Sequence, residues 1–288
     1  MLVIVVVASF IRPLYTLVQF ALHSDLYSHI LLIPFVSIYL IWLQQRRLVL
    51  DSAPWRKFAL LPLFLGITIV SSYWFARNSG WTPHTGDYLA LMTLAFLAFL
   101  FSAGFLLLGT ATLRTVAFPS AFLVFMVPFP EFLLRWIETF LQYGSAEVAS
   151  AFLKLSGMPV FRQGLEFHLP GFSMHVAPEC SGIHSSLVLF ITSVLAGQLL
   201  LRQCWTRTVF VLAVVPLAML RNGFRIFTLG ELCVRVNPDW INSELHHRGG
   251  PLFFAVSLIP FFFLLWWLKK QENKEGSSHG KVTKEKKV

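Results

Sequence analysis

The sequence predicts an all-α polytopic membrane protein with about eight transmembrane helices, an outer amphipathic helix and a small extracytoplasmic β-hairpin. Of the 288 residues, 56% are hydrophobic and only 13% are charged, whereas a soluble globular domain carries roughly 25% charged residues. The mean hydropathy is +0.68. Several apolar runs approach the ~20 residues that cross a bilayer. The bilayer is therefore the expected environment of most of the chain.

Eight apolar segments are expected to span the membrane, and they lie near residues 2–22, 30–44, 58–76, 88–108, 115–130, 182–201, 208–228 and 251–268. Basic residues in short loops mark the cytoplasmic side of such proteins. Here they fall at one set of segment ends, namely Arg46, Arg47, Arg56, Lys57, Arg114, Arg202, Arg207 and the lysine-rich C-terminus. That side is assigned to the cytoplasm, and both termini are expected there. The N-terminal segment lacks a charged start and a small-residue cleavage site, so it is expected to be a retained span.

Charge is concentrated at the end of the chain. The formal net charge is +9, and seven lysines lie at or beyond Lys269. Residues 271–288 are therefore predicted to be a disordered basic cytoplasmic tail, and residues 1–270 a single transmembrane domain. Because the excess charge is in this tail, a nucleic-acid partner is not expected.

The outer segment, about 131–181, differs from the spans. In 131–155 apolar residues recur at helical spacing but charges interrupt them, as in an amphipathic helix on the membrane surface. Two stretches follow in which apolar and polar residues alternate, "LEFHL" and "SMHVA". The turn residues Gly164 and Pro170–Gly171 lie before the first and between the two. They predict a β-hairpin on the outer face, which leads directly to Cys180.

Three stretches converge at one depth on the outer side. "VAPECSGIHSS" carries Glu179, Cys180 and His184, and "RNGFR" carries Arg221, Asn222 and Arg225. At ~1.5 Å rise per residue, Arg225 lies about 25 Å above Thr208 and so reaches the depth of Cys180. An outer loop from Gly230 to Gly250 then brings "LHHRGG", with His246 and His247, to the same mouth.

These residue types suit thiol chemistry. A neighbouring cation lowers the pKa of a cysteine, a histidine can take the thiol proton and later protonate a leaving amine, and an arginine can hold an oxyanion or a carboxylate. Backbone N–H groups at Ser181–Gly182 could also face the oxyanion. Glu179 could orient the histidine, pair with Arg225 or cap the helix.

Each residue also has an alternative role. Cys180 could be an ordinary buried thiol or form a disulfide with Cys233, whereas Cys204 is expected on the other side. Arg225 could be an interface arginine that snorkels to the headgroups. For zinc, the chain offers His175, His184, His246 and His247, but they lack tight ligand spacing. No metal and no cofactor are therefore expected.

The ordered set "GMPVFRQG", "LPG", "VAPECSGIHSS", "PLAMLRNGFRI" and "LHHRGG" resembles the exosortase/archaeosortase family, as do "YSHILLIP" and "PFPEFLL". The resemblance covers most of residues 15–268. It implies an integral-membrane cysteine transpeptidase that cleaves a C-terminal sorting signal of the PEP-CTERM type from exported proteins. It also implies a location in the bacterial inner membrane, with the site facing outward, and a link to exopolysaccharide production.

Site residues carry over from the family's motifs. The family's cysteine matches Cys180, the arginine of its Asn-x-x-Arg motif matches Arg225, and its histidine best matches His246. His247 stands where the family often has an acid, so the assignment between His246 and His247 stays open. His184 stands at a position where members of this family often have a basic residue. Glu179, Asn222, His247, Arg221 and His184 are expected to support the site.

Two other functions fit parts of the sequence. A non-enzymatic membrane subunit of a polysaccharide export or assembly complex would use the buried Arg and His residues to bind an anionic lipid or glycan. It would tolerate the loss of the Cys180 sulfur. A transporter would place polar residues near the bilayer midplane, and the middle of most predicted spans is apolar.

Overall fold

The computed structural model describes residues 1–47, 56–108, 110–177, 181–237, 240 and 250–285. The chain divides into two compact units, Met1–Leu134 and Arg135–Val288. Each unit is treated separately below. The single-domain organisation expected from the sequence stays a prediction.

The first unit is helical. Its helices are α1 (Leu2–Ser9), α2 (Ile11–Leu22), α3 (Ile33–Leu43), α4 (Arg56–Asn78), α5 (Thr85–Leu107) and α6 (Thr110–Phe122). Short 3-10 turns lie at Ser28–Leu31, Gln45–Arg47 and Leu123–Met126. Helix α4 packs along α5, which is apolar around its whole circumference and buries residues such as Leu89 and Leu97. An all-round apolar helix at the centre of a bundle is the arrangement that such a sequence favours.

The second unit combines helices with one small sheet. Helix α7 (Glu131–Leu155) begins at the boundary, and the sheet has strands β1 (Phe161–Gln163), β2 (Glu166–Leu169) and β3 (Phe172–His175). Four helices follow, namely α8 (Ile183–Leu200), α9 (Cys204–Leu212), α10 (Val214–Arg235) and α11 (Gly250–Glu285). Helix α11 covers most of the lysine-rich tail. The disorder that the sequence predicts for residues 271–288 stays a prediction.

The count of eight membrane spans is not confirmed. Among the described residues, five helices are long and apolar enough to cross a membrane, or up to seven if each of two bent helix pairs counts as one span. The segment Ser28–Leu43 is apolar but too short. The first predicted span is a pair, α1 and α2, bent by 61°. Pro13 explains that bend, since its ring clashes with the carbonyl four residues earlier, at Ser9.

The predicted hairpin is present as β2 and β3, and the sequence missed β1. The three strands are antiparallel in the order β1-β2-β3, with Phe167 opposite both Arg162 and Met174. The strand β1 shows no apolar alternation. Its Arg162 instead pairs with Glu147 of α7 at 3.0 Å and lies over the Phe167 ring at 5.6 Å. Tertiary contacts of this kind cannot be read from local sequence.

The inner face of the sheet covers the core of the second unit. The core joins one face of α7, the sheet and α10, and its buried residues include Ala149, Leu153, Phe167, Met174 and Ile226. The alternating side chains of β2 and β3 place every second residue on this face. The sheet is thereby fixed against α7 and α10, and it positions the chain that leaves β3.

Helix α10 is longer than predicted. The sequence placed an outer loop from Gly230, whereas the helix continues to Arg235. Leu229, Gly230 and Cys233 are all buried, so packing keeps this turn helical although it contains a glycine. Glu231 and Arg235 add an ion pair at 2.5 Å, four residues apart on the helix.

Candidate active site

Helix α8 starts at a glycine that no other residue could replace without strain. Gly182 is the N-cap of α8 and has φ 71° and ψ 18°, in the left-handed region, which residues with a Cβ rarely adopt. A Cβ added there would also lie 2.7 Å from Nη2 of Arg221. Both the backbone conformation and the contact therefore require glycine directly after Ser181.

Arg221 crosses from α10 to the start of α8. Its Nη2 donates to the Gly182 carbonyl at 3.1 Å and lies 3.2 Å from the Ser186 hydroxyl. That hydroxyl itself donates to the Gly182 carbonyl at 2.7 Å. Arg221 is only 8% exposed. The end of the "CSG" motif and the "RNGFR" motif, which are about 40 residues apart in sequence, are therefore in direct contact.

Asn222 and Arg225 lie on the same helix as Arg221. Asn222 is buried, and its side chain would lie 3.3 Å from a Cβ on Gly182. Arg225 follows Arg221 by one turn and is half-buried. The two guanidinium groups are close enough to repel each other. Arg221 and the buried amide of Asn222 on α10 thus lie beside the turn where α8 begins, and Arg225 lies near Arg221.

The chain on the other side of Cys180 is also fixed. The Val176 N–H donates to the Leu165 carbonyl at 3.0 Å. The Val176 carbonyl accepts from Nε2 of Gln142 at 3.0 Å, and Gln142 is a buried residue of α7. Residues 178–180 therefore connect two anchored points, Val176 and Gly182.

Four predicted site residues, Glu179, Cys180, His246 and His247, lie outside the described residues. His184 is described and is exposed on the first turn of α8. Cys233 is buried on α10, but its pairing with Cys180 involves a residue outside the described ranges. Among the described residues, no group of three or more His, Cys, Asp or Glu could hold a metal ion.

The electrostatics of the described part favour an anion. The first turn of a helix presents N–H groups without intrahelical acceptors and carries the positive end of the helix dipole. Beside it lies Arg221, whose buried Nη1 has no hydrogen-bond partner among the described residues. A buried, incompletely paired cation is costly. A thiolate, an oxyanion or a carboxylate at this position would lower that cost.

The family comparison agrees with the motifs. A family model described as "Transmembrane exosortase" matches residues 21–263. The chain belongs to the transmembrane exosortase family. The resemblance inferred from the sequence motifs is thereby confirmed, and exosortases are generally cysteine transpeptidases. Searches of curated proteins and of solved structures each found no match.

Two features of this exosortase site were missed from the sequence. Gln142 lies within the amphipathic pattern of α7, and its buried contact with Val176 has no local signal. Gly223 lets α7 approach α10 closely, since an added Cβ would lie 2.6 Å from Val148 and 2.9 Å from the Ser145 carbonyl. The small residues of "GSAEVASA" on α7 could have indicated such an approach, because small residues line close helix contacts in membranes.

A cavity elsewhere in this exosortase contains none of these residues. It lies in the first unit, encloses about 700 Å³ and is lined mainly by apolar side chains of α5 and α6, with Arg114 as a charged lining residue. Its lining includes the hydroxyls of Thr112 and Ser120 but no cysteine. The chemistry expected of the family therefore points to the start of α8 and not to this cavity.

Proposed function

We propose that this exosortase is a cysteine transpeptidase that cleaves the C-terminal sorting signal of exported proteins at the outer face of the bacterial inner membrane. The observation that carries the proposal is the cationic environment at the start of α8. There the partly unpaired guanidinium of Arg221 binds the carbonyl of Gly182, the N-cap of α8, which is two residues from Cys180 in the chain. Such surroundings stabilise a thiolate.

The reaction needs three roles. Cys180 Sγ attacks the scissile carbonyl carbon while a histidine, His246 in this assignment, takes the thiol proton. The tetrahedral oxyanion is stabilised by Arg225 and by the N–H groups at the start of α8. The C–N bond then breaks, and the same histidine protonates the leaving amine. The resulting thioester is resolved by water or by an amine, which regenerates the thiol.

Arg221 has a positioning role in this scheme. Its Nη2 holds the Gly182 carbonyl, so the peptide that follows Cys180 keeps one orientation. Because the Nη1 end has no partner among the described residues, the same side chain also adds positive potential. Asn222 packs beside Gly182 and supports the same turn.

A cleavage assay tests the proposal. The chain is co-expressed with a reporter that carries a C-terminal signal made of a Pro-Glu-Pro motif, a transmembrane helix and a basic cluster. Cleavage should be lost in Cys180→Ser and Cys180→Ala and should persist in Cys204→Ser, a matched change of an exposed cysteine. Comparing His246→Ala with His247→Ala assigns the histidine. Cleavage that survives in Cys180→Ala would refute the proposal and favour the non-enzymatic assembly subunit.

A further inference from the structure

Among the described residues, the sheet of the second unit has an open edge at β3. Strand order β1-β2-β3 leaves β3 with one neighbour within this part of the chain. Two alternate residues of β3, Ser173 and His175, are exposed to solvent. A strand edge of this kind presents unpaired main-chain donors and acceptors, which are a template for another extended chain.

The hydrogen-bond pattern shows which backbone groups face that edge. The Val176 N–H bonds to the Leu165 carbonyl directly opposite, so this is a hydrogen-bonded pair. Such pairs alternate along antiparallel strands. Met174 and Phe172 therefore face β2, and the N–H and C=O groups of Ser173 and His175 face away from it. Among the residues that the structure describes, none makes a hydrogen bond to those backbone groups.

The edge leads directly to the proposed nucleophile. Strand β3 ends at His175, and Cys180 follows five residues later. Between them, Val176 is held on both its backbone groups by Leu165 and Gln142. An extended chain that pairs with Ser173 and His175 would therefore lie along a fixed strand, and the anchored Val176 that follows this strand is four residues from Cys180 in the chain.

The side chains on the outer face suit a peptide ligand. Alternation places Phe161, His168 and Ser173 on this face, with the Phe161 and His168 rings stacked at 5.8 Å and His168 Nδ1 3.0 Å from the Ser173 hydroxyl. Stacked rings offer an apolar contact and the hydroxyl a polar one. In strand addition, the main chain supplies affinity and such side chains supply selectivity.

We propose that the substrate segment next to the scissile bond binds as a fourth strand on the open edge of β3, with its main chain hydrogen-bonded to Ser173 and His175. The proposal rests on the proposed function and adds to it the conformation and place of the substrate. The other sheet edge is less suited. Strand β1 has three residues, and the register leaves only Arg162 with backbone groups that face outward.

Proline and alanine variants separate main-chain pairing from side-chain effects. Ser173→Pro and His175→Pro each remove one N–H that faces the edge, and proline is tolerated in edge strands at such positions. His175→Ala keeps the N–H, and its side chain is assigned no contact with the ligand. We expect the proline variants to lower kcat/KM for the reporter about tenfold or more, mainly through KM, and His175→Ala to change it less than about threefold. Equal effects of proline and alanine would overturn the proposal.

Disulfide crosslinking tests docking without catalysis. In a Cys180→Ser, Cys204→Ser background, Ser173→Cys is combined with single cysteines along the substrate segment next to the cleavage site. Strand pairing predicts crosslinks at every second substrate position, because alternate side chains share a face. Crosslinks spaced three to four residues apart, or none, would overturn the proposal even if a proline variant fails to fold. Because this background cannot cleave, failure of the proposed chemistry leaves the crosslinking result unaffected.

Discussion

Gly182 links the backbone at the start of α8 to the guanidinium of Arg221. The residue combines φ 71° with a space that a Cβ would fill, 2.7 Å from Arg221 Nη2. A side chain here would both strain the turn and displace the cation that holds its carbonyl. At the residue scale, the contact between Arg221 and the Gly182 carbonyl thus depends on residue 182 having no Cβ.

A pair of glycine variants isolates that contact. Gly182→Ala and Gly157→Ala both place alanine at positive φ, 71° and 77°, but a Cβ on Gly157 meets nothing within 4 Å. We expect each variant to lower the free energy of unfolding by about 1–3 kcal/mol. Only Gly182→Ala should also reduce reporter cleavage, by about tenfold or more, because only this variant displaces Arg221. Equal cleavage by the two variants would contradict this role of Arg221.

The candidate site was partly predictable at this scale. The motifs "CSG" and "RNGFR" were expected at one depth from the rise per residue of their helices, and Gly182 and Arg221 are in contact. That Cys180 and Arg225 share this depth stays a prediction. Arg221 was expected only as a supporting residue. Its contact with the Gly182 carbonyl depends on how α10 rotates about its axis, and rotation is set by packing that the sequence does not reveal. His246 as the proton carrier stays a prediction.

At the element scale, α7 and α10 meet through Gly223. A Cβ there would lie 2.6 Å from Val148 and 2.9 Å from the Ser145 carbonyl. Gly223→Ala should force the helices apart and lower the free energy of unfolding by about 1–3 kcal/mol. Thermal unfolding in detergent micelles measures the loss. Gly230→Ala, whose Cβ would meet its neighbours at 3.3–3.5 Å, is the milder control.

A double variant tests the cause of that loss. Val148→Ala removes Cγ1, which would lie 2.6 Å from the new Cβ, so it should restore part of the stability of Gly223→Ala. The Val148 Cβ, also at 2.6 Å, and the Ser145 carbonyl at 2.9 Å remain in the way, so the rescue should be incomplete. Purely additive effects of the two substitutions would indicate that helix propensity, and not the clash, determines the loss.

Glu272 connects α11 to the turn between α8 and α9. Its carboxylate accepts from the backbone N–H groups of Arg202 and Gln203, each at 2.9 Å, and from the Thr206 hydroxyl. The side chain is 8% exposed. Glu272→Ala leaves these donors without their acceptor and should lower the free energy of unfolding by about 2–3 kcal/mol. Gln271→Ala, a change at an exposed neighbour, should leave the unfolding midpoint nearly unchanged.

The elements themselves were predicted unevenly. Helix α5 was correctly placed because it is one long apolar run, and α7 because its apolar residues recur at helical spacing. The strand β1 and the last turns of α10 were missed, because Arg162, Gly230 and Cys233 are held there by tertiary contacts. The count of eight spans is not confirmed: among the described residues the first predicted span is bent after Ser9, and Ser28–Leu43 is short for a span.

At the scale of the whole molecule, the orientation in the membrane can be tested with the chain's own cysteines. Cys204 is exposed and follows the basic residue Arg202, for which the distribution of positive charge predicts a cytoplasmic location. In a Cys180→Ser background, a membrane-impermeant maleimide should label Cys204 only after the cells are permeabilised. In a Cys180→Ser, Cys204→Ser background, Ser173→Cys should be labelled in intact spheroplasts. The reverse pattern would invert the topology and place the proposed site in the cytoplasm.

The incompletely paired guanidinium of Arg221 has a consequence for reagent selectivity. Under the proposed function, a small thiol-reactive compound that approaches Cys180 is expected to meet this cation and the positive end of α8. Methanethiosulfonates that carry a sulfonate should therefore modify Cys180 faster than those that carry a trimethylammonium group, and Arg221→Met should reduce this preference. A covalent inhibitor of this exosortase should accordingly combine its electrophile with a negative charge.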